Sequence, residues 1–152
     1  MLNIGWILTG VGAVFALLLV VSWQLSVKRR RKFLNEAREQ FRIRREWLEA
    51  SFLTLAKKSA PRGLEWGDCE FDDRVRFARD AEKDEICAFV GVTIKFEAII
   101  GGGMEEVEAV ANFKAATGVF HYRNKEWITL GRAIFNLNPH ETIMHYQLEH
   151  VE

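Results

Sequence analysis

The pattern of apolar and polar positions changes character three times along the chain. "IGWILTGVGAVFALLLVVSW" (residues 4–23) is apolar on every side, and twenty such residues are about what a helix needs to cross a ~30 Å hydrocarbon core. From residue 28 to 58 the chain is rich in Arg, Lys, Glu, Ala, Leu and Gln, with no Gly or Pro between Gly12 and Pro61. Such residues propagate a helix at little cost, so the first helix is predicted to continue, with a soft break near Ser26 or Asn35 as the alternative. Residues 28–59 would then extend about 48 Å. Trp47, Leu48, Phe52, Leu55 and Ala56 form an apolar stripe on its second half, which predicts that this end lies against a sheet. "KKSAPRG" stops the helix with cations, then Pro61 and Gly63.

From Cys69 the period drops to two. "CEFDDRVRF" sets Cys69, Phe71, Val75 and Phe77 against Glu70, Asp72, Arg74 and Arg76, a strand with one solvated side. After the turn "DAEKD", Ile86, Ala88, Val90, Val92, Ile94, Phe96 and Ala98 share one face of a long central strand, with Gly91 opposite as a bend or bulge. "EVEAVANFKAATGVFHYR" resumes the alternation with Val107, Ala109, Ala111 and Phe113 inward before a register slip near "AATG", and Asn124 and Lys125 turn the chain into a last strand, "EWITLGRAIFNL". "NPHE" offers an Asn cap, Pro at the first helical position and an acid at the third. It predicts a short helix over 139–150 burying Ile143, Met144, Gln147, Leu148 and Val151.

The predicted class is α+β: an N-terminal transmembrane helix continues into a long helix packed on a four-stranded antiparallel meander, and a short C-terminal helix closes it. The divisions are 1–27 for the span, 28–45 for a basic helical neck and 46–152 for the body. Over residues 46–152 this order of elements is similar to cystatin-like and nuclear-transport-factor-2-like α+β folds, which implies a helix across a curved sheet and allows a pocket between them. The block "GVTIKFEAIIGGGMEEVEAVANFKAATGVFHYR" with "GRAIFNLNP" resembles uncharacterised single-span bacterial membrane proteins, a resemblance that implies no activity.

Charge sharpens this picture. Residues 1–27 carry no ionisable side chain, residues 28–49 hold nine Lys/Arg against four Glu, and the remainder is acidic, although the chain as a whole is neutral. Trp6 and Trp23, about 25 Å apart along a helix, are placed to anchor the span at both headgroup layers. Lys28, Arg29, Arg30, Arg31 and Lys32 form a topology signal that puts the C-terminal body in the cytoplasm and the N-terminus outside. The same cluster would meet anionic lipid headgroups at about 1 kcal/mol per cation. A cleaved signal peptide would need its cations before the apolar run. Gly5, Thr9, Gly12 and Ala16 put small residues on one face that would admit a second helix. Leu34, Phe41, Leu48 and Leu55 repeat every seven residues, but Ala37, Arg44, Ser51 and Lys58 make only half of a coiled-coil seam. The acidic body argues against a nucleic-acid partner.

Candidate chemistry is sparse. Gly101, Gly102 and Gly103 lead into Glu105, Glu106 and Glu108, which would repel the phosphate that a glycine cradle serves, so they read as a hairpin connection. Strict alternation would turn Asp73 inward between Phe71 and Val75, where an unpaired carboxylate is costly; a bulge at Asp72–Asp73 would turn it outward. With His121 on an inward set and Tyr122 nearby, these three are the catalytic candidates. His140, His145 and His150 are spaced by five, which in one continuous helix keeps them from sharing a metal. Cys87 is expected opposite Phe77, leaving Cys69 about 26 Å along the hairpin and beyond disulfide reach. No metal or cofactor is called for.

The reading is a membrane-anchored, non-enzymatic module that binds an unknown protein partner or a second copy of itself. The alternative is a tethered small-molecule-binding or enzymatic domain with a pocket between helix and sheet. The orientation has a direct check: after gentle unfolding, Cys69 and Cys87 should resist a membrane-impermeant thiol reagent in intact cells and react once the membrane is opened.

Overall fold

A computed structural model describes residues 4–151, with side chains from Gly12 onward apart from those of Ala109 and Ala111. The side chains of Trp6 and Thr9, and the surroundings of Gly5, on which one anchor and half of the small-residue face depend, are not described. The chain forms two compact units, Met1–Glu39 and Gln40–Glu152. Helix α1 (Ile4–Lys58) is a single α-helix with no interruption at Ser26 or Asn35. The Ser22 and Ser26 hydroxyls donate to the carbonyls of Leu19 and Ser22, each at 2.9 Å, so neither is left without a partner inside the helix.

In the first unit, Val14, Phe15 and Leu17 to Val21 are each between 48% and 63% exposed. Successive helical positions point in all directions around the axis, so this surface is apolar on every side. One helix near the N-terminus is therefore long and apolar enough to cross a membrane. Further along the same helix Trp23 is exposed, as are all five cations from Lys28 to Lys32.

The second unit contains β1 (Leu64–Asp80), β2 (Glu85–Ala98), β3 (Lys114–Arg123), β4 (Glu126–Phe135), α2 (Pro139–His145) and β5 (Glu149–His150). The strands make one antiparallel sheet in the order β4-β3-β2-β1-β5. The four-stranded meander thus gains a fifth strand. The predicted helix over 139–150 stops at His145, the chain turns at Gln147 with φ +52°, and Glu149 and His150 pair with Arg79 and Ala78. The start of α2 is as the sequence predicts: the Asn138 side chain accepts from the Glu141 amide, and Glu141 accepts from the Asn138 amide, each at 2.9 Å. Ile143 is buried, but Met144 and Gln147 are exposed.

Two irregularities in β1 decide which residues face α1. Trp66 pairs with Phe96 and Cys69 with Ile94, so β1 carries one extra residue between them. Between Phe71, opposite Val92, and Val75, opposite Val90, it carries two more. These bulges return Trp66, Phe71, Val75 and Phe77 to the same face, the one shared by the even-numbered residues of β2 from Ile86 to Phe96. Gly91 pairs regularly with Thr117, and the bulge lies beside it: a Cβ there would meet the Asp72 Cβ at 3.3 Å. The strand predicted over 106–123 begins only at Lys114. Upstream of it Glu108–Ala111 form a short 3-10 helix, and Val107 and Phe113 are exposed rather than inward.

Phe41, Leu48, Phe52 and Ala56 of α1 are buried. They follow one face at steps of seven and four residues, whereas Trp47 and Leu55 sit one position off that line and are exposed. The expected stripe was therefore right at Leu48, Phe52 and Ala56 and wrong at the other two. Phe41 meets Phe77, Phe120 and Trp127 edge-on, with ring centroids 5.7, 5.4 and 4.9 Å away. Phe52 packs on Trp66, Phe71 and Phe120. The opposite face is not wholly solvated as expected: Ile143 of α2 closes over Ala78, Cys87, Phe89 and Val119. Glu85 to Val90 are consequently buried on both faces.

Close approach of α1 requires Gly131. Its φ is +68°, and a Cβ would come within 2.5 Å of the Leu55 Cβ and 2.7 Å of the Ala56 backbone nitrogen. Gly131→Ala is expected to cost about 2–4 kcal/mol from backbone strain and overpacking together. Denaturant unfolding of the detergent-solubilised protein measures it, and a loss under about 0.5 kcal/mol would contradict this packing.

Candidate functional site

The three catalytic candidates are not brought together. Asp73 lies exposed in the second bulge of β1, where the Arg45 guanidinium donates to its carbonyl at 2.8 Å and to that of Asp72. His121 and Tyr122 are consecutive in β3 and so project from opposite faces. Tyr122 faces α1, its hydroxyl donating to Gln40 Oε1 at 3.4 Å and its ring 5.1 Å from Trp127. His121 faces α2.

What His121 joins instead is a cluster that the sequence reading did not assemble. Register pairs Cys87 with His121 across β2 and β3, and Glu85 precedes Cys87 by two residues on the same face. His121 Nδ1 lies 3.1 Å from Glu85 Oε2 and 3.5 Å from Cys87 Sγ. Arg123, two residues along from His121, donates from Nε to Glu85 Oε1 and from Nη2 to Oε2 at 3.3 Å. Glu85 and Cys87 are buried. The one-residue difference between the expected pairing of Cys87 with Phe77 and the observed pairing with Ala78 moves the thiol to the other face. Both cysteines are free, and they lie on opposite faces of the sheet.

Cys87 and His121 of this cluster line a cleft of about 280 Å³. Phe89, Val119 and Ile134 are apolar lining, and the β1–β2 turn contributes Asp80 and Lys83. Asp80 holds this turn, accepting from the amides of Glu82 and Lys83 and from Lys83 Nζ at 2.9 Å. Arg132 and Tyr146 also line the cleft; Arg132 Nη2 donates to the Tyr146 hydroxyl at 3.1 Å.

Burial, then the charge of Glu85, pushes the Cys87 thiol up to about 12. A thiol so firmly protonated is a poor nucleophile, which sets the cluster apart from a thiolate–imidazole dyad. At Glu85, burial works to raise the carboxyl, but the Arg123 and His121 hydrogen bonds outweigh it and the net shift is downward. The histidines near the C-terminus also differ from expectation. Because α2 ends at His145 and the chain returns, the rings of His140 and His150 come 5.6 Å apart instead of diverging along one helix.

Period-two spacing was the signal for this cluster: Glu85 and Cys87 on one strand, His121 and Arg123 on its neighbour. The pairing of β2 with β3 was needed to join them. Comparisons of the chain with protein-family models, curated proteins and solved structures found no match.

Because its folded pKa is depressed, Glu85 contributes stability that is present above the unfolded carboxyl pKa of about 4.3 and lost as pH falls through the folded value. Glu85→Gln is expected to lower stability at pH 7 by about 1–2 kcal/mol, Arg123 being free to return to water. It should also flatten the fall in stability below about pH 4.3. Denaturant unfolding between pH 7 and 3 measures both.

Proposed function

We propose that this chain is a membrane-anchored, non-enzymatic interaction or assembly module. In this reading residues 1–27 span the bilayer with the N-terminus outside, Lys28 to Lys32 lie among anionic headgroups, and the α+β body engages a protein partner or a second copy in the cytoplasm. The observation that carries it is the contrast between the two sides of α1. The side toward the sheet, where the alternative reading needs a pocket, is occupied by Phe41 and Phe52 among aromatic rings. The outer side carries Ile43 and Trp47, 70% and 61% exposed and four residues apart. Tryptophan is enriched among residues that dominate binding energy.

Likeness to cystatin-like and nuclear-transport-factor-2-like folds rests on the order of elements, and a helix laid across an antiparallel sheet supports it. The pocket reading receives less support, since Asp73, His121 and Tyr122 occupy a bulge and two different faces.

Proximity labelling by the full-length protein in its native membrane tests the proposal. The expected result is a small reproducible set of labelled proteins, or the chain itself. Ile43→Ser with Trp47→Ser should reduce that labelling about tenfold, the loss of a single anchor worth ~1.4 kcal/mol. Asp73→Asn should leave it intact. Labelling indifferent to the helix substitutions but abolished at Asp73 would reverse the conclusion.

A further inference from the structure

We propose that Glu85, Cys87 and His121 bind a single divalent cation of the zinc class, with three protein ligands and a fourth position open to the cleft. One ligand atom from each residue lies within 4.8 Å of the other two, the nitrogen 3.1 Å from oxygen and 3.5 Å from sulfur. Around tetrahedral zinc, with bonds of about 2.0–2.3 Å, neighbouring ligand atoms are about 3.3–3.6 Å apart. The two nitrogen contacts are already near that spacing.

Three further features favour a cation over a plain ion-pair cluster. The ligands are fixed by the central strands β2 and β3 rather than by loops, Cys87 and His121 being direct register partners. Arg123 grips Glu85 chiefly through Oε1, as an outer partner orienting the carboxylate would, while Oε2 turns to His121. Finally, Nδ1 carries at most one hydrogen. It bonds well to Glu85 or to Cys87 but not to both, whereas a central cation accepts a lone pair from all three. Thiolate with imidazole and carboxylate selects zinc-like ions over magnesium or calcium.

The exchange balances as one cation in and one proton out: the Cys87 S–H bond breaks and its proton passes to solvent, the His121 Nδ1 hydrogen is exchanged to Nε2, and the freed sulfur and Nδ1 lone pairs form bonds to the metal.

The test is a cobalt(II) titration of the reduced, tag-free, full-length protein in detergent micelles. One equivalent is expected to produce a thiolate-to-cobalt charge-transfer absorption with tetrahedral d–d bands, and zinc should displace it. Cys69→Ser should leave the spectrum unchanged, Cys87→Ser should abolish the charge-transfer band, and His121→Gln should weaken binding at least tenfold. If Cys87→Ser does not fold, as judged by thermal melting, His121→Gln decides alone: a weaker titration supports the site and an unchanged one overturns it. Absence of the band in folded protein at pH 8, or its loss in Cys69→Ser with retention in Cys87→Ser, also overturns it.

Discussion

Phe41 and Phe52 are the points at which α1 grips the sheet, and the rest of the second unit is arranged around that grip. Both rings are fully enclosed, and each meets three aromatic partners. A buried phenylalanine contributes about 1.5–3 kcal/mol by leaving water, and each edge-on pair adds about 0.5–1.5 kcal/mol. This attraction is short-ranged, so the backbones must come close. Gly131 permits that approach beneath Leu55 and Ala56, and Gly118 leaves room for the Phe52 ring, which a Cβ would meet at 3.3 Å.

A division of labour between the two faces follows. The α1 face is aromatic and carries the packing. The other face is covered by the seven residues of α2 and by Leu148 after it, too little to close over the whole sheet. Polar side chains survive there in a partly sheltered setting: Glu85, Cys87 and His121 meet where burial raises the Cys87 thiol, while Cys87 and His121 still line the cleft. The bulges of β1 serve the first face, bringing Trp66, Phe71 and Val75 back into phase with β2. They also move Asp73 out to solvent.

These features explain which parts of the fold could be read from the sequence. The even-numbered residues of β2 were legible because the strand is unbroken and one whole face is apolar. The Asn138–Glu141 capping box was legible because it depends only on local spacing. Trp66 was missed because the bulge after it places an even-numbered residue in phase with odd-numbered ones. The extra length assigned to β3 came from alternation in Val107 and Phe113, which says nothing about whether a partner strand lies alongside. Beyond Ile94, opposite Lys114, none does on that side. The buried cluster stayed hidden because its members join across a strand pair whose register only the folded sheet fixes. A shift of one residue in the partner of Cys87 separates the two faces.

The pairing of His150 with Ala78 joins positions 72 residues apart in the chain, and it bears on the order of assembly. During synthesis the β1–β2 hairpin and then β3 and β4 emerge first, at about 5–20 residues per second. The segment that carries Leu148 and β5 arrives seconds later. For that interval Cys87 and His121 lack one wall of their cleft, and the outer edge of β1 near Ala78 offers unpaired backbone groups to any passing strand. Latching of the last strand therefore ends a window in which the nascent domain is open to mispairing.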